Sequence, residues 1–121
     1  MTRKRSAWTV RLSDAAETDL QDIMQWTLAR FGAAQARTYA KTLSIALEAL
    51  ADGPTIIGAK VRDDIAKGLF TLHVARQHRK GRHFVLYRIG TCEGKDLIEV
   101  LRILHDAMDL PRHLPSSEGD S

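Results

Sequence analysis

Apolar and polar positions change period along the chain, and each change marks an element. Residues 8–12, WTVRL, alternate apolar and polar side chains and predict a short strand ending at Ser13. Beyond it Ala16, Leu20, Ile23 with Met24, Thr27 and Phe31 recur at three- and four-residue steps, one face of an amphipathic helix that turns Asp19, Asp22 and Gln25 toward water. Ser13 is placed to cap that helix, and Asp14 and Glu17 put negative charge at its positive end. Gly32 interrupts the stripe. A second one, Ala36, Tyr39 with Ala40, Leu43, Ala46 with Leu47, and Leu50, runs to about Asp52, where Gly53 and Pro54 stop it. Two stripes joined by a hinge this short predict an antiparallel helix hairpin.

The second half changes to strand-like composition. LFTLHVA (69–75), HFVLYRI (83–89) and LIEVLRIL (97–104) are rich in β-branched and aromatic residues and are separated by Gly-containing polar loops. Short connections favour an antiparallel meander, since a parallel crossover needs a dozen or more residues. The last segment has apolar residues on both faces, Leu101 with Ile103 on one and Ile98, Val100 and Leu104 on the other, so it is expected to be central or covered on both sides. The order predicts an α+β domain in which an N-terminal short strand and helix hairpin pack on one face of an antiparallel sheet. No helix remains for the opposite face, which is therefore expected to meet a partner. The predicted boundaries are a basic segment at 1–8, one domain at 9–114 and a disordered tail at 115–121.

Composition narrows the picture. At 121 residues the chain suits a single small domain, and an aromatic share of 6% leaves the core to aliphatic side chains. The net charge of +3 is unevenly spread. Arg3, Lys4, Arg5 and Arg11 precede the first acid, and Lys60, Arg62, Lys67, Arg76, Arg79, Lys80 and Arg82 face only Asp63 and Asp64, whereas 13–52 is net acidic. Such asymmetry predicts a surface for nucleic acid or an acidic protein segment. No apolar run approaches the roughly 20 residues of a membrane span, so a cytoplasmic protein without membrane contact is expected. Cys92, the only cysteine, excludes an internal disulfide.

The richest candidate for chemistry is the loop ARQHRKGRH (75–83), in which Arg76, Arg79, Lys80 and Arg82 accompany His78 and His83. As a hairpin tip it would project cations toward phosphate or carboxylate groups. It contains no aromatic residue to stack a base, which argues against reading the sequence of single strands. The five histidines lack metal-site spacing, and no nucleophile elbow or glycine-rich phosphate or dinucleotide motif accompanies Ser13, Ser44 or Thr91, so neither metal nor cofactor is expected. A metal-independent ribonuclease could draw acid, base and cation from Tyr87, Arg88, Arg102 and His105, although Tyr87 alternates with Val85 and Ile89 as a core residue would.

The segments VRLSDAAETDLQDIMQWTLARFGAAQARTYAKTL, GLFTLHV, FVLYRI and IEVLRILHDAMDLPRHL closely resemble the ParE branch of the RelE/ParE toxin superfamily from about Val10 to Leu114. That resemblance implies a toxin of a bacterial type II toxin–antitoxin system with a helix hairpin on an antiparallel sheet. It implies a ParD-like antitoxin partner with a flexible acidic C-terminal segment, a heterotetramer or larger assembly, and poisoning of DNA gyrase without catalysis. Two alternatives remain, a ribosome-dependent mRNA endoribonuclease of RelE type and a nontoxic antitoxin-binding module. The tail PSSEGDS lacks the Tyr, Arg and Lys that RNA-cleaving relatives carry near their ends, and the loop 76–82 is longer than in many ParE-like chains. Candidate contacts to antitoxin or target are Arg76, Arg79, Lys80 and Arg82, then Arg88 and Arg102 as outward arginines needing carboxylates, and finally His105, Asp106, Met108 and Asp109 where the last strand leaves the sheet.

Overall fold

Ser13, which closes the first strand, serves two elements at once. Its Oγ accepts from the Ala16 amide at 3.0 Å, capping the helix, and donates to the Leu101 carbonyl at 2.9 Å, 88 residues away. The computed structural model describes residues 8–107; Met108, Asp109, the domain end at 114 and the segments 1–7 and 115–121 lie outside them. The elements are β1 (Thr9–Leu12), α1 (Asp14–Phe31), α2 (Ala33–Ala49), a 3-10 turn at Leu50–Asp52, β2 (Ala59–Val61), β3 (Leu69–His73), β4 (His83–Cys92) and β5 (Lys95–His105).

The architecture is the α+β one read from the periodicity, with two helices on a five-stranded sheet of order β1-β5-β4-β3-β2. Strands β2 to β5 form the antiparallel meander, but β1 lies parallel to β5, so the sheet is mixed. Strand β2 was not foreseen: it is a three-residue edge strand with exposed Lys60 and Val61, too short to alternate visibly. Strands β4 and β5 run closer together than read, because Glu93 (φ 53°) and Gly94 (φ 80°) make a two-residue hairpin turn in which both central residues are left-handed.

Ala16, Leu43, Ala46 and Leu50 of the helical layer pack on Leu72, Val74, Val85, Tyr87, Ile98, Val100 and Ile103. Each fully buried aliphatic side chain contributes roughly 1.5–3 kcal/mol of transfer free energy, so this layer holds the hairpin to the sheet. Strand β5 corrects the simple alternation. Leu86 pairs with Arg102 and Tyr87 with Val100, which leaves Leu101 as the extra residue of a β-bulge. The bulge resets the period, so Ile103 shares the helix-facing core with Ile98 and Val100 instead of siding with Leu101.

The opposite sheet face is not the bare apolar surface expected. Phe84, Leu86 and Leu104 are buried there, and Ile65 from the β2–β3 connection packs on Phe84 and Leu104. Among the described residues the exposed large apolar side chains are instead Trp26, Leu28 and Phe31 of α1, with Ile57, Val61 and Ile89. No helix of the described residues is long and apolar enough to cross a membrane.

Candidate functional site

The end of α1 and the start of α2 overhang the β3–β4 loop, and the space between them is a groove of about 600 Å³. Trp26 and Phe31 of α1, Tyr39 of α2, Arg79, Lys80 and Arg82 of the loop, His83 of β4 and His105 of β5 all line it. Trp26 and Phe31 are 56% and 58% exposed, meet edge to face at 5.7 Å, and carry Arg30 over the indole ring.

Tyr39 is the node of this groove. Its hydroxyl accepts from the Arg82 amide at 3.1 Å and lies 2.6 Å from His83 Nδ1. With the phenol donating, His83 is neutral and carries its proton on Nε2. Burial first, then the neighbouring charge of His105, pushes the His83 imidazole down to about 4, in agreement with that tautomer. The imidazoles of His83 and His105 meet edge to face across the β4–β5 ladder, their centroids 5.3 Å apart. Burial likewise raises the Tyr39 phenol, so it stays protonated as a donor.

The basic loop does not project into solvent as a free tip. Gln77 (φ 51°) and His78 (φ 67°) curl it back, and Arg79 then donates to Thr42 Oγ1 at 2.8 Å and to the Thr38 carbonyl at 3.2 Å on α2. Gly81 is required by close approach: a Cβ there would lie 2.6 Å from Val74 Cγ2 and 3.0 Å from the Tyr39 hydroxyl. Asp106, just past β5, ties the loop base to the sheet. Its amide donates to the Arg82 carbonyl at 2.7 Å, and its carboxylate meets His73 Nε2 at 2.9 Å and Arg82 Nε at 3.3 Å. The bond from His73 is the main reason its acidity is increased.

The expected site residues therefore divide. Arg79, Lys80, Arg82 and His105 converge on the groove, and Asp106 braces it. Arg76 does not line the groove, and its Nη1 is buried without a hydrogen-bond partner. Arg88 and Arg102 do not await an external carboxylate. Arg88 pairs with Glu99 across the β4–β5 ladder at 2.9 Å. Arg102 donates twice to Asp19 of α1, at 2.7 and 2.9 Å, and Asp19 also accepts from the Ile103 amide at 2.9 Å. The β1–β5 pairing ends at Leu12, and beyond it Ser13 takes the Val100 and Leu101 carbonyls while the Asp19 carboxylate takes the Ile103 amide on the open edge of β5. Tyr87 is fully buried, donates to the Pro54 carbonyl at 2.7 Å and is pushed up to about 12 by burial. The ribonuclease set of Tyr87, Arg88, Arg102 and His105 is thus not gathered into one site. Among the described residues no three His, Cys, Asp or Glu side chains converge to hold a metal ion.

Sequence reasoning placed His83 beside the loop cations but missed Trp26, Phe31 and Tyr39 as groove residues. The available signals were a tryptophan off the apolar stripe of α1 and a phenylalanine at its last position.

The fold and the family comparisons together place the chain among the small α+β toxins of type II toxin–antitoxin systems. It resembles a chain of the toxin–antitoxin complex RelBE2 from Mycobacterium tuberculosis with a TM-score of 0.55 and 25% identity, covering 87% of this chain and 98% of that one. Toxin ParE1 of Caulobacter vibrioides is 33% identical over 104 residues, 86% of this chain and 95% of that protein. Toxin ParE1 of Mycobacterium tuberculosis is 34% identical over 103 residues, 85% of this chain and 94% of that protein. The family model of the ParE toxin of type II toxin–antitoxin systems, parDE, matches residues 10–110, and the chain belongs to that family.

Proposed function

We propose that the protein is held inactive by a cognate ParD-like antitoxin and, once released, inhibits DNA gyrase without catalysing a reaction. The observation that carries this reading is the family match, which spans all the described elements except the first residue of β1. The dispersal of Tyr87, Arg88 and Arg102 into internal contacts supports a toxin that acts by binding. The apolar surface left for an antitoxin includes Val61 on the open edge strand β2 and Leu28 on α1. An antitoxin segment that orders only on this surface would keep the pair switchable, because proteolysis of the free antitoxin shifts the equilibrium toward released toxin.

The test is supercoiling by purified gyrase with refolded toxin, alone and with its antitoxin. Inhibition that the antitoxin reverses is the expected result. Full supercoiling in the presence of toxin that still binds its antitoxin would overturn the target while leaving the antitoxin partner in place.

A further inference from the structure

The basic loop by itself has cations but nothing to stack against, and the fold changes that by bringing Trp26 and Phe31 of α1 to the same groove. Their exposed rings stand edge to face at the rim, with Arg30 over one side of the indole, and offer aromatic faces beside the cations. Arg79 keeps its full charge, since both of its partners, a hydroxyl and a carbonyl, are neutral. Lys80 and Arg82 are exposed beside it, and only Arg82 shares its charge with Asp106.

We propose that this groove binds a single-stranded nucleic acid, with backbone phosphates on Arg79 and Lys80 and a base stacked on Trp26 or Phe31. The combination of cations with an exposed aromatic platform is the one that single strands use, and stacking tolerates any base. Gln35, His83 and His105 along the same wall bring polar groups able to donate to or accept from base edges. An acidic peptide would pair with the same cations. Exposed aromatic faces set directly beside them suit a flat base joined to a phosphate more than a carboxylate side chain, and the geometry favours the nucleic acid for that reason. Binding here is independent of the gyrase reading, and either can fail alone.

The experiment is fluorescence anisotropy of the full chain with a fluorescein-labelled ten-nucleotide thymidine strand, titrated at several salt concentrations. Lys80→Gln is expected to weaken binding about tenfold and to lower the slope of log affinity against log salt by about 0.7, the value of one lost phosphate contact on a single strand. Trp26→Ala is expected to weaken binding about tenfold with the slope unchanged, and Trp26→Phe to restore most of it. An abasic strand should bind the unmodified chain as weakly as the thymidine strand binds Trp26→Ala. Both substituted side chains are surface ones, and melting curves matching the unmodified chain confirm the fold. The proposal is overturned if the strand does not bind, if Trp26→Ala and the abasic strand leave affinity unchanged, or if polyglutamate of equal charge displaces the strand as well as unlabelled thymidine does.

Discussion

Arg102 and Arg79 each reach from the second half of the chain to a helix, with opposite consequences. Arg102 meets the Asp19 carboxylate of α1 through two bonds, and the same carboxylate accepts the Ile103 amide, so the charge is consumed in a joint between helix and sheet. Arg79 meets a threonine hydroxyl and a carbonyl of α2, so it is held in place but remains a cation. The chemistry of the partner, and not the arginine, decides which end of the molecule is structural and which is available to a ligand. The Asp19 joint is mostly buried, with side-chain exposures of 13% for Asp19 and 31% for Arg102, whereas the loop at the groove is largely open.

The largest expected effect comes from breaking the joint. Asp19→Ala strands the Arg102 guanidinium and the Ile103 amide together and should cost about 3 kcal/mol in urea unfolding, the scale of losing one partner of a mostly buried, hydrogen-bonded pair. A loss below about 1 kcal/mol would place Asp19 among ordinary surface carboxylates and erase the contrast. At the other end, Gly81→Ala forces Val74 or Tyr39 to move and should cost about 2 kcal/mol, typical of overpacking. If the variant is as stable as the parent, the loop is not pinned against α2 as described.

Tyr39→Phe sharpens the comparison with a smaller effect. It removes the hydroxyl shared by the Arg82 amide and His83 and should cost about 1 kcal/mol. His83 adds a pH signature. Its imidazole is held down to about 4 in the fold against an ordinary 6.5, so the unfolded chain takes up the proton first. Stability is therefore unaffected by this group above about 6.5 and declines as pH falls from there toward 4. His83→Gln should flatten that part of the stability profile, and an unchanged slope would show that His83 is not held neutral. The smallest effect belongs to Arg88→Gln: the Arg88–Glu99 pair has its arginine half exposed, and its loss should stay within about 0.5 kcal/mol.

The helices were legible because their signals are local. The Ser13 cap, the Gly32 interruption and the Gly53–Pro54 stop act within a few residues, and the structure places both helix starts and the hairpin where these residues put them. The strands were legible in number and order from β3 onward. Strand β2 escaped because three residues carry no period, and the faces of β5 were misassigned because one unpaired residue, Leu101, resets the alternation without any glycine or proline to announce it. In the site, the loop cations were visible as a cluster, but their aromatic neighbours lie about fifty residues earlier in the chain.

By itself the sequence determined the α+β class, the helix hairpin, the meander and the likeness to ParE toxins, because caps, turns and apolar periods act over short distances. Only the tertiary structure decided that β1 runs parallel to β5 and that Arg102 is satisfied by Asp19, 83 residues away. It also decided that Trp26, Tyr39 and His83 share a groove with the basic loop. Those outcomes depend on which distant surfaces meet, and that is set by the packing of the whole core together with a single bulge in β5, neither of which leaves a local mark.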